Sequence, residues 1–230
     1  MKAPLWENRR PKDIFCNILL ALLSLFVNGF GVYLTMHADI GAAPWDVFNL
    51  GLSHTFGILY GTASIVVSTV ILFIDIVMKE PIGVAMFIDA VTVGKAVDFF
   101  NWLDFVPVPE TLFGRVAMLF AGIVVIGYTM YFYMIAALGC GPRDTLMVGL
   151  KRRMKKIPIG LVNVLILSVV TFIGGLLGGP VGIGTLACAF GVGPIMQFAF
   201  YTMGFDATAI RHQNLLETSK ILLGQKKTEK

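Results

Sequence analysis

Long apolar runs, separated by short charged or glycine-rich stretches, are the main feature of this sequence. Six such runs can be marked, at about 14–37, 60–78, 82–103, 115–138, 159–178 and 181–203. Each is close to the ~20 residues that an α-helix needs to cross a bilayer core of ~30 Å. The apolar residues are continuous and do not recur as a helical stripe, a pattern typical of helices that face lipid. The sequence therefore predicts an all-α, polytopic membrane helical bundle with about six transmembrane helices.

Composition supports the same fold class. Hydrophobic residues make up 57% of the 230 residues and charged residues 14%, and the mean hydropathy is +0.81. There is too little polar surface here to coat a water-soluble globule. The net charge of +4 is concentrated in the first dozen residues, in 151–156 and in the C-terminal tail. No nucleic-acid motif accompanies these clusters, so we expect contacts to the lipid bilayer and none to nucleic acid.

Two further apolar segments, 44–52 and 142–150, are too short to span. If neither crosses the membrane, the basic clusters all fall on one side and the acidic 104–114 loop on the other. This predicts a multi-pass protein with both termini in the cytoplasm. If both segments cross, the chain has eight spans, with the 104–114 loop inside. The predicted division is a cytoplasmic segment, a first membrane repeat, an external loop, a second membrane repeat and a cytoplasmic amphipathic tail, at 1–13, 14–103, 104–114, 115–203 and 204–230.

The chain also resembles itself at an offset of 98 residues. The pattern G-x-x-P-x-D-x-x-x-x-G-L occurs in 41–52 and again in 139–150, and later glycines and prolines match at an offset of 99. Each half then holds three spans and one short segment. Since an odd number of spans reverses the second copy, the six-span reading predicts inverted repeats, as in many secondary transporters. The eight-span reading predicts parallel repeats.

The repeated G-x-x-P-x-D pattern predicts a turn followed by a short half-helix. Gly41 and Gly139 permit a tight turn, and Pro44 and Pro142 suit the first position of a new helix. The carboxylate two residues later lies near the positive end of that helix. Two interpretations stay open: Asp46 and Asp144 cap interfacial helices, or two re-entrant half-helices frame a solute site. The turn residues are Gly41, Pro44, Gly139 and Pro142, and the solute candidates are Asp46 and Asp144.

Three ionisable residues, Asp89, Lys95 and Asp98, lie within the third run. Charges there are costly in lipid, so we expect them to face protein or water. Lys95 and Asp98 are three residues apart and can pair, whereas Asp89 lies on a different side of the helix. These are coupling candidates, and the alternative is an ion pair that anchors the helix. Asp75, near the end of its run, is expected to reach the membrane interface.

The repeated G-x-x-P-x-D segment, the P-[IV]-G-[VI] start of the third and sixth runs and the overall size resemble the YczE/YyaS-type bacterial membrane proteins, related to the YitT group. The resemblance covers about residues 14–205 and implies a location in the bacterial plasma membrane. It implies no established activity or residue roles. Function at this point rests on the residues themselves.

The sequence favours a small-solute secondary transporter or channel-like protein, because of the inverted repeat. The alternative is a membrane-embedded regulator or scaffold that acts through the 151–156 loop and the tail. No catalytic motif is visible, so we expect no enzymatic activity. We also expect no cofactor and no metal site, since His37 and His54 have no ligand partners at useful spacing. The predicted ligand is a small solute or ion, and self-association into a homo-oligomer is left open.

Overall fold

A computed structural model describes residues 11–206 and 213–222, and within these ranges every regular element is an α-helix. The apolar runs of the sequence become helices with short connections between them. The helices are α1 Pro11–His37, α2 Pro44–Phe56, α3 Tyr60–Val77, α4 Val84–Leu103, α5 Leu112–Ala136, α6 Pro142–Arg153, α7 Ile159–Leu176, α8 Ile183–Thr202 and α9 Leu215–Leu222.

Five helices in the described part of the chain are long and apolar enough to cross a membrane, namely α1, α3, α5, α7 and α8. The prediction of a polytopic helical bundle is confirmed. Helix α4 has 20 residues, but it is not among these five and carries three ionisable residues, Asp89, Lys95 and Asp98. The predicted number of six spans depends on α4 and stays a prediction.

Helices α1 and α5 cross in opposite directions at the centre of the bundle. Asn28 Nδ2 donates to Thr129 Oγ1 over 2.9 Å. Further along α1, Gly31 lies so close to α5 that a Cβ there would be 2.9 Å from the carbonyl oxygen of Gly122. Because residue numbers rise along one helix as they fall along the other, the pair is antiparallel. Small residues at such a crossing allow the two backbones to approach closely.

Helices α4 and α8 pack beside this central pair. Ala21 and Ala85 share one buried cluster near the start of α1 and α4, and Gly29 faces Val97 further along. Helix α4 therefore runs parallel to α1. Helices α5 and α8 are also parallel, because Ile123 lies near Cys188 and, further along both helices, Gly127 lies near Ile195. The bundle thus contains two pairs of parallel helices, α1 with α4 and α5 with α8, and one pair runs in the opposite direction to the other.

The loops after α1 and α5 reach across to the opposite half of the chain. Gly139 has φ +116°, and a Cβ on it would lie 2.7 Å from the Cα of Gly83, which precedes α4. Gly41 has φ +108° and makes the corresponding approach to Gly182 before α8. Both positions need glycine because of the left-handed backbone and the contact distance. The sequence prediction of a tight turn at Gly41 and Gly139 is confirmed.

Hydrogen bonds of the main chain fix the same two crossings. Ala85 N donates to the carbonyl oxygen of Leu138 over 3.1 Å, and Gly184 N donates to that of Ile40 over 2.7 Å. The last helix of each half therefore begins on the loop of the other half. The two halves are joined by main-chain contacts as well as by side-chain packing.

The two short helices begin where the sequence predicts, at Pro44 and Pro142, and neither has a side-chain cap at its start. They are somewhat longer than predicted, and with 13 and 12 residues they remain too short to span. Helix α2 packs on α7, where Gly51 approaches the backbone of Gly174. Helix α6 packs on α3, so each short helix also lies against the other half.

The predicted amphipathic tail falls partly outside the described residues, and Ile210 and Arg211 are among those not described. A helix is present at Leu215–Leu222, as α9. Leu215 N donates to the carbonyl oxygen of Ile82 over 2.8 Å, and Gln213 N donates to that of Ala137 over 3.0 Å. The start of α9 is therefore attached to the bundle itself, at the connections that precede α4 and follow α5.

Candidate functional site

The first turns of α2 and α6 meet through an arginine and a tryptophan. The guanidinium carbon of Arg143 lies 5.1 Å from the ring centroid of Trp45, a cation–π contact. These two residues occupy the same position in the repeated sequence, between the proline and the aspartate. The contact brings the two G-x-x-P-x-D motifs together although 98 residues separate them in sequence.

Asp46 is the most deeply buried carboxylate of this region, with a side chain that is 6% exposed. Its Oδ1 accepts a hydrogen bond from Tyr60 Oη over 2.7 Å. Arg143 Nη1 lies 4.0 Å from the same oxygen, and the Arg143 side chain is 28% exposed. A buried carboxylate is costly unless it is hydrogen-bonded and neutralised. Tyr60 and Arg143 supply these two forms of compensation for Asp46.

Asp89 and Asp144 lie close together beside Gly141, at the start of α6. A Cβ built on Gly141 would be 2.6 Å from Asp89 Oδ2 and 3.9 Å from Asp144 Oδ2, so both carboxylates flank this one glycine. Both interact electrostatically with Arg143. Asp89, Arg143 and Asp144 are only partly buried. These three side chains are therefore less enclosed than that of Asp46.

We call Asp46, Asp89, Asp144 and Arg143 the charge cluster. When all four are ionised, three negative charges face one positive charge, so the cluster carries a surplus of negative charge. Like charges at close range raise the cost of ionisation, and a proton or a bound cation lowers it. The cluster is therefore suited to taking up protons or a small cation.

Unpaired polar groups lie close to the charge cluster. Asn49 on α2 is fully buried with Tyr60 as a polar neighbour, and its amide makes no hydrogen bond of good geometry among the described residues. The hydroxyl of Tyr133 is also buried without a partner there, and it interacts electrostatically with Asp89 and Asp144. Each unpaired buried group costs about 1–3 kcal/mol. Such groups are typical of sites that bind polar ligands.

Lys95 and Asp98 do not belong to the charge cluster. Lys95 Nζ lies 3.7 Å from Asp98 Oδ2, which confirms the predicted pair, and the lysine side chain is 55% exposed. Asp98 Oδ1 accepts a hydrogen bond from the main-chain nitrogen of Gly61 over 2.8 Å. This bond fastens the start of α3 to α4. The geometry matches the predicted alternative of an ion pair that anchors the helix.

The structure thus brings together three of the five predicted charged residues, namely Asp46, Asp89 and Asp144, and places further residues beside them. Arg143, Tyr60 and Trp45 were not predicted as site residues, although Arg143 stands inside the repeated motif. Asp75 was expected to reach the membrane interface, and this is wrong. Its side chain is fully buried without a hydrogen-bond partner among the described residues. The end of α6 packs against this end of α3, where Gly149 lies beside Met78 and Glu80.

Cys140 lies in the loop between α5 and α6, next to the charge cluster. Burial, and secondly the Asp144 carboxylate, raise the pKa of its thiol to about 11. The side chain is partly exposed and is not in a disulfide. A thiol with this pKa is almost entirely protonated at neutral pH, so Cys140 is a weak nucleophile.

Comparison with known proteins relates the chain to one family model and to several bacterial relatives. Residues 15–200 match the model of a family described as a family of unknown function, DUF6198. The chain is 32% identical over 177 residues to the "Uncharacterized membrane protein YczE" of Bacillus subtilis (strain 168), covering 76% of this chain and 81% of that protein. It is 28% identical over 181 residues to an "Uncharacterized protein" of Haemophilus influenzae (79% and 82% covered).

A third relative, the "Uncharacterized protein YyaS" of Bacillus subtilis (strain 168), is 27% identical over 180 residues, covering 76% of this chain and 85% of the relative. No solved structure matches the chain. The resemblance to the YczE/YyaS type is confirmed, whereas the relation to the YitT group stays a prediction. With its helical bundle and a family match that covers most of its length, the chain belongs to the DUF6198 family of membrane proteins.

Proposed function

We propose that this protein is a small-solute secondary transporter or channel-like protein, with its solute site at the charge cluster. The observation that carries the proposal is the sharing of Arg143 by three carboxylates, Asp46, Asp89 and Asp144, inside an apolar bundle. Ionisable residues at such positions are rare because they are costly, and they mark ion pathways and proton relays in membrane proteins.

The arrangement of helices supports an inverted repeat of two three-helix halves. Helices α1 and α5 hold equivalent sequence positions and cross antiparallel. The two close approaches between glycines are equivalent in the repeat. The sequence offset relates Gly41 to Gly139 and Gly83 to Gly182, so the Gly41–Gly182 contact corresponds to the Gly139–Gly83 contact. In transporters of this kind, discontinuous helices place their N-termini at a central site. Helices α2 and α6, whose first turns meet, are our candidates for the two half-helices.

The proposed setting is a bacterial plasma membrane that the chain crosses six times, with both termini in the cytoplasm. The basic 151–156 segment and the acidic 104–114 loop then lie on opposite sides. The surplus of carboxylates in the charge cluster favours a proton or a small cation as the coupling ion, or a solute that carries a positive charge.

Transport by purified protein in liposomes tests this function directly. Liposomes with the wild-type chain would be offered a panel of radiolabelled amines, amino acids and metal cations under an imposed pH or sodium gradient. We expect uptake of at least one cationic member, driven by one of the gradients. Asp89→Asn should lower this uptake at least tenfold, since it removes a charge from the cluster while keeping the side-chain shape.

Lys95→Gln is the matched control, because Lys95 is on the same helix but outside the charge cluster. We expect it to keep most of the uptake. Wild-type protein that is folded in the liposomes and moves no member of the panel under either gradient would contradict the proposal. Equal losses in Asp89→Asn and Lys95→Gln would place the site elsewhere on α4.

The alternative of a regulator or scaffold has less support. It requires the 151–156 loop and the tail to be available to a partner protein. Two cations of this loop, Arg152 and Arg153, are held by Glu80 at 2.9 and 3.0 Å, whereas Lys155 and Lys156 remain exposed. The start of α9 is bound to the main chain at Ile82 and Ala137.

A further inference from the structure

An apolar groove runs along the outside of the bundle between α6 and α7. Its volume is about 270 Å³, and Leu146 and Leu150 line it from α6 while Val162, Ile166 and Val170 line it from α7. Pockets for drug-sized ligands usually begin at about 300 Å³. The groove is therefore narrow, and its lining offers an occupant only hydrocarbon contacts along its length.

A cationic depression lies next to the groove, on the other side of Met154. This depression, of about 390 Å³, is lined by Arg153, Lys155, Lys156 and Ile157, and Met154 lines both spaces. Arg153 is engaged by Glu80. Lys155 and Lys156 are exposed, and no ion pair engages them among the described residues. We call the groove and the depression together the combined site. It offers two positive charges at the depression and an apolar lining in the groove.

We propose that this combined site binds an anionic phospholipid. The headgroup phosphate is held by Lys155 and Lys156, and one acyl chain lies in the groove between α6 and α7. The charge of the depression complements an anionic headgroup, and the apolar lining complements a single acyl chain. The surrounding face of α7 is apolar and exposed, at Leu161, Leu165 and Val169 among others, so the site is reached from the lipid bilayer.

The inner end of the groove gives this lipid a route to the charge cluster. Trp45 lines the groove, and the same indole ring stacks on Arg143. An acyl chain that reaches the end of the groove therefore touches the residue that positions the arginine. Occupancy of the groove then favours the arrangement in which the first turns of α2 and α6 are together. The lipid site itself does not depend on whether the protein transports a solute.

Trp45 also makes the proposal testable by fluorescence. The chain has three tryptophans, and replacing Trp6 and Trp102 by Phe leaves Trp45 as the only emitter. This variant would be reconstituted with phosphatidylglycerol or phosphatidylcholine carrying brominated acyl chains, which quench a tryptophan that they touch. We expect half-maximal quenching at a mole fraction about thirtyfold lower for the anionic lipid, since each of the two lysines near the headgroup contributes about 1 kcal/mol.

Two further variants separate the headgroup contact from the groove. Lys155→Gln together with Lys156→Gln should abolish the preference and leave weak quenching by both lipids. Ile166→Phe fills the groove and should reduce quenching by both. Val164→Phe, on α7 but outside the lining, should change neither, and Lys12→Gln is the matched charge control. Equal quenching by the two lipids in the parent protein would overturn the proposal, because the groove would then hold only unselected bilayer lipid.

Two other outcomes would also overturn the proposal. Absence of quenching by either lipid means that no acyl chain reaches Trp45. If dilution of the protein in the membrane is needed before either lipid quenches Trp45, a second copy of the chain covers the groove. The lysine variants alter exposed residues, so they are expected to fold, and the preference can be measured even if Ile166→Phe is unstable.

Discussion

At the scale of single residues, Arg143 is the shared cation of the charge cluster. It faces Asp46, Asp89 and Asp144 and also lies 3.5 Å from Ser64 Oγ. Removal of one partner from a fully buried ion pair costs about 3–5 kcal/mol. Arg143 is 28% exposed, so solvent screens part of this energy, and we expect about 1–3 kcal/mol.

Our first prediction follows from this charge balance. Arg143→Gln should lower the thermal midpoint of the protein in detergent, because three carboxylates lose their shared cation. Adding Asp89→Asn to that variant should recover part of the loss, since the double variant has one negative charge fewer. Arg115→Gln is the control: Arg115 is equally exposed, at 28%, but it pairs with one carboxylate, Asp39, which is 70% exposed. This variant loses one solvent-screened charge partner and two main-chain hydrogen bonds, whereas Arg143→Gln leaves three carboxylates without their cation.

If Arg143→Gln is no more harmful than Arg115→Gln, the charge cluster does not have the energetic role proposed here. The same conclusion would follow if Asp89→Asn added to the loss instead of offsetting it.

The second prediction concerns the reactivity of Cys140. In a variant with Cys16→Ser and Cys188→Ala, Cys140 is the only thiol. Because burial and Asp144 raise its pKa to about 11, the thiolate is scarce at neutral pH, and alkylation by a small maleimide should accelerate about tenfold per pH unit up to pH 9. Asp144→Asn should accelerate the reaction at fixed pH, since it removes the second cause. A rate that is flat above pH 8 would contradict the raised pKa.

The sequence indicated part of this site and missed the rest for physical reasons. Asp46 and Asp144 stand out because their motif occurs twice. Trp45 and Arg143 occupy one repeat position but differ in type, and nothing in either local sequence shows that they stack. Asp75 was misplaced because its run looks the same whether it faces lipid or a neighbouring helix. The packing of α6 over α3 decides this, and it is a contact between distant parts of the chain.

At the scale of secondary-structure elements, the loops after α1 and α5 need glycine where they approach the starts of α8 and α4. A Cβ on Gly139 would meet the Cα of Gly83 at 2.7 Å, and the residue also has a positive φ. We therefore predict that Gly139→Ala destabilises the protein. Overpacking costs about 1–3 kcal/mol, and the left-handed backbone adds about 1–2 kcal/mol for a residue with a Cβ.

Gly160→Ala is the matched control for this third prediction. Gly160 is in α7, and a Cβ on it meets nothing within 4 Å among the residues that the structure describes. Alanine there should stabilise the helix by up to about 1 kcal/mol. Thermal unfolding of the two variants, followed by circular dichroism, would give opposite shifts of the midpoint. A tolerated Gly139→Ala would show that the loop can move away from Gly83 at little cost.

The elements themselves were largely predictable. Apolar runs bounded by proline or glycine gave the positions of the long helices, and Pro44 and Pro142 marked the starts of α2 and α6. The attachment of α9 was not predictable, because it uses main-chain groups at Ile82 and Ala137. Main-chain hydrogen bonds between distant segments leave no trace in residue type.

At the scale of the whole molecule, the two halves are fastened to each other at both ends by different chemistry. At one end, Glu80 after α3 binds Arg152 and Arg153 at the end of α6. The 98-residue offset relates these arginines to His54 and Thr55. At the end of α2, His54 Nδ1 lies 3.2 Å from the carbonyl oxygen of Gly178, and Thr55 Oγ1 donates to that of Leu177 over 3.2 Å. The ion pairs are stronger than the neutral contacts. Separating the two halves at the Glu80 end should therefore cost more free energy than separating them at the His54 end.

The fourth prediction distinguishes the six-span topology from the eight-span alternative. Val108 lies in the connection between α4 and α5, and Lys155 lies between α6 and α7; both are exposed. With six spans these positions are on opposite sides of the membrane, whereas with eight spans both are cytoplasmic. Val108→Cys and Lys155→Cys would be introduced separately into a chain without its three native cysteines and labelled in intact cells with an impermeant maleimide.

We expect Val108→Cys to be labelled in intact cells and Lys155→Cys only after the cells are opened, as the acidic and basic loops indicate. Labelling of both positions only after opening would favour eight spans and parallel repeats. Helices α1 and α5 cross antiparallel, and parallel repeats would require them to point the same way. The labelling result therefore also tests the inverted arrangement on which the transport proposal draws.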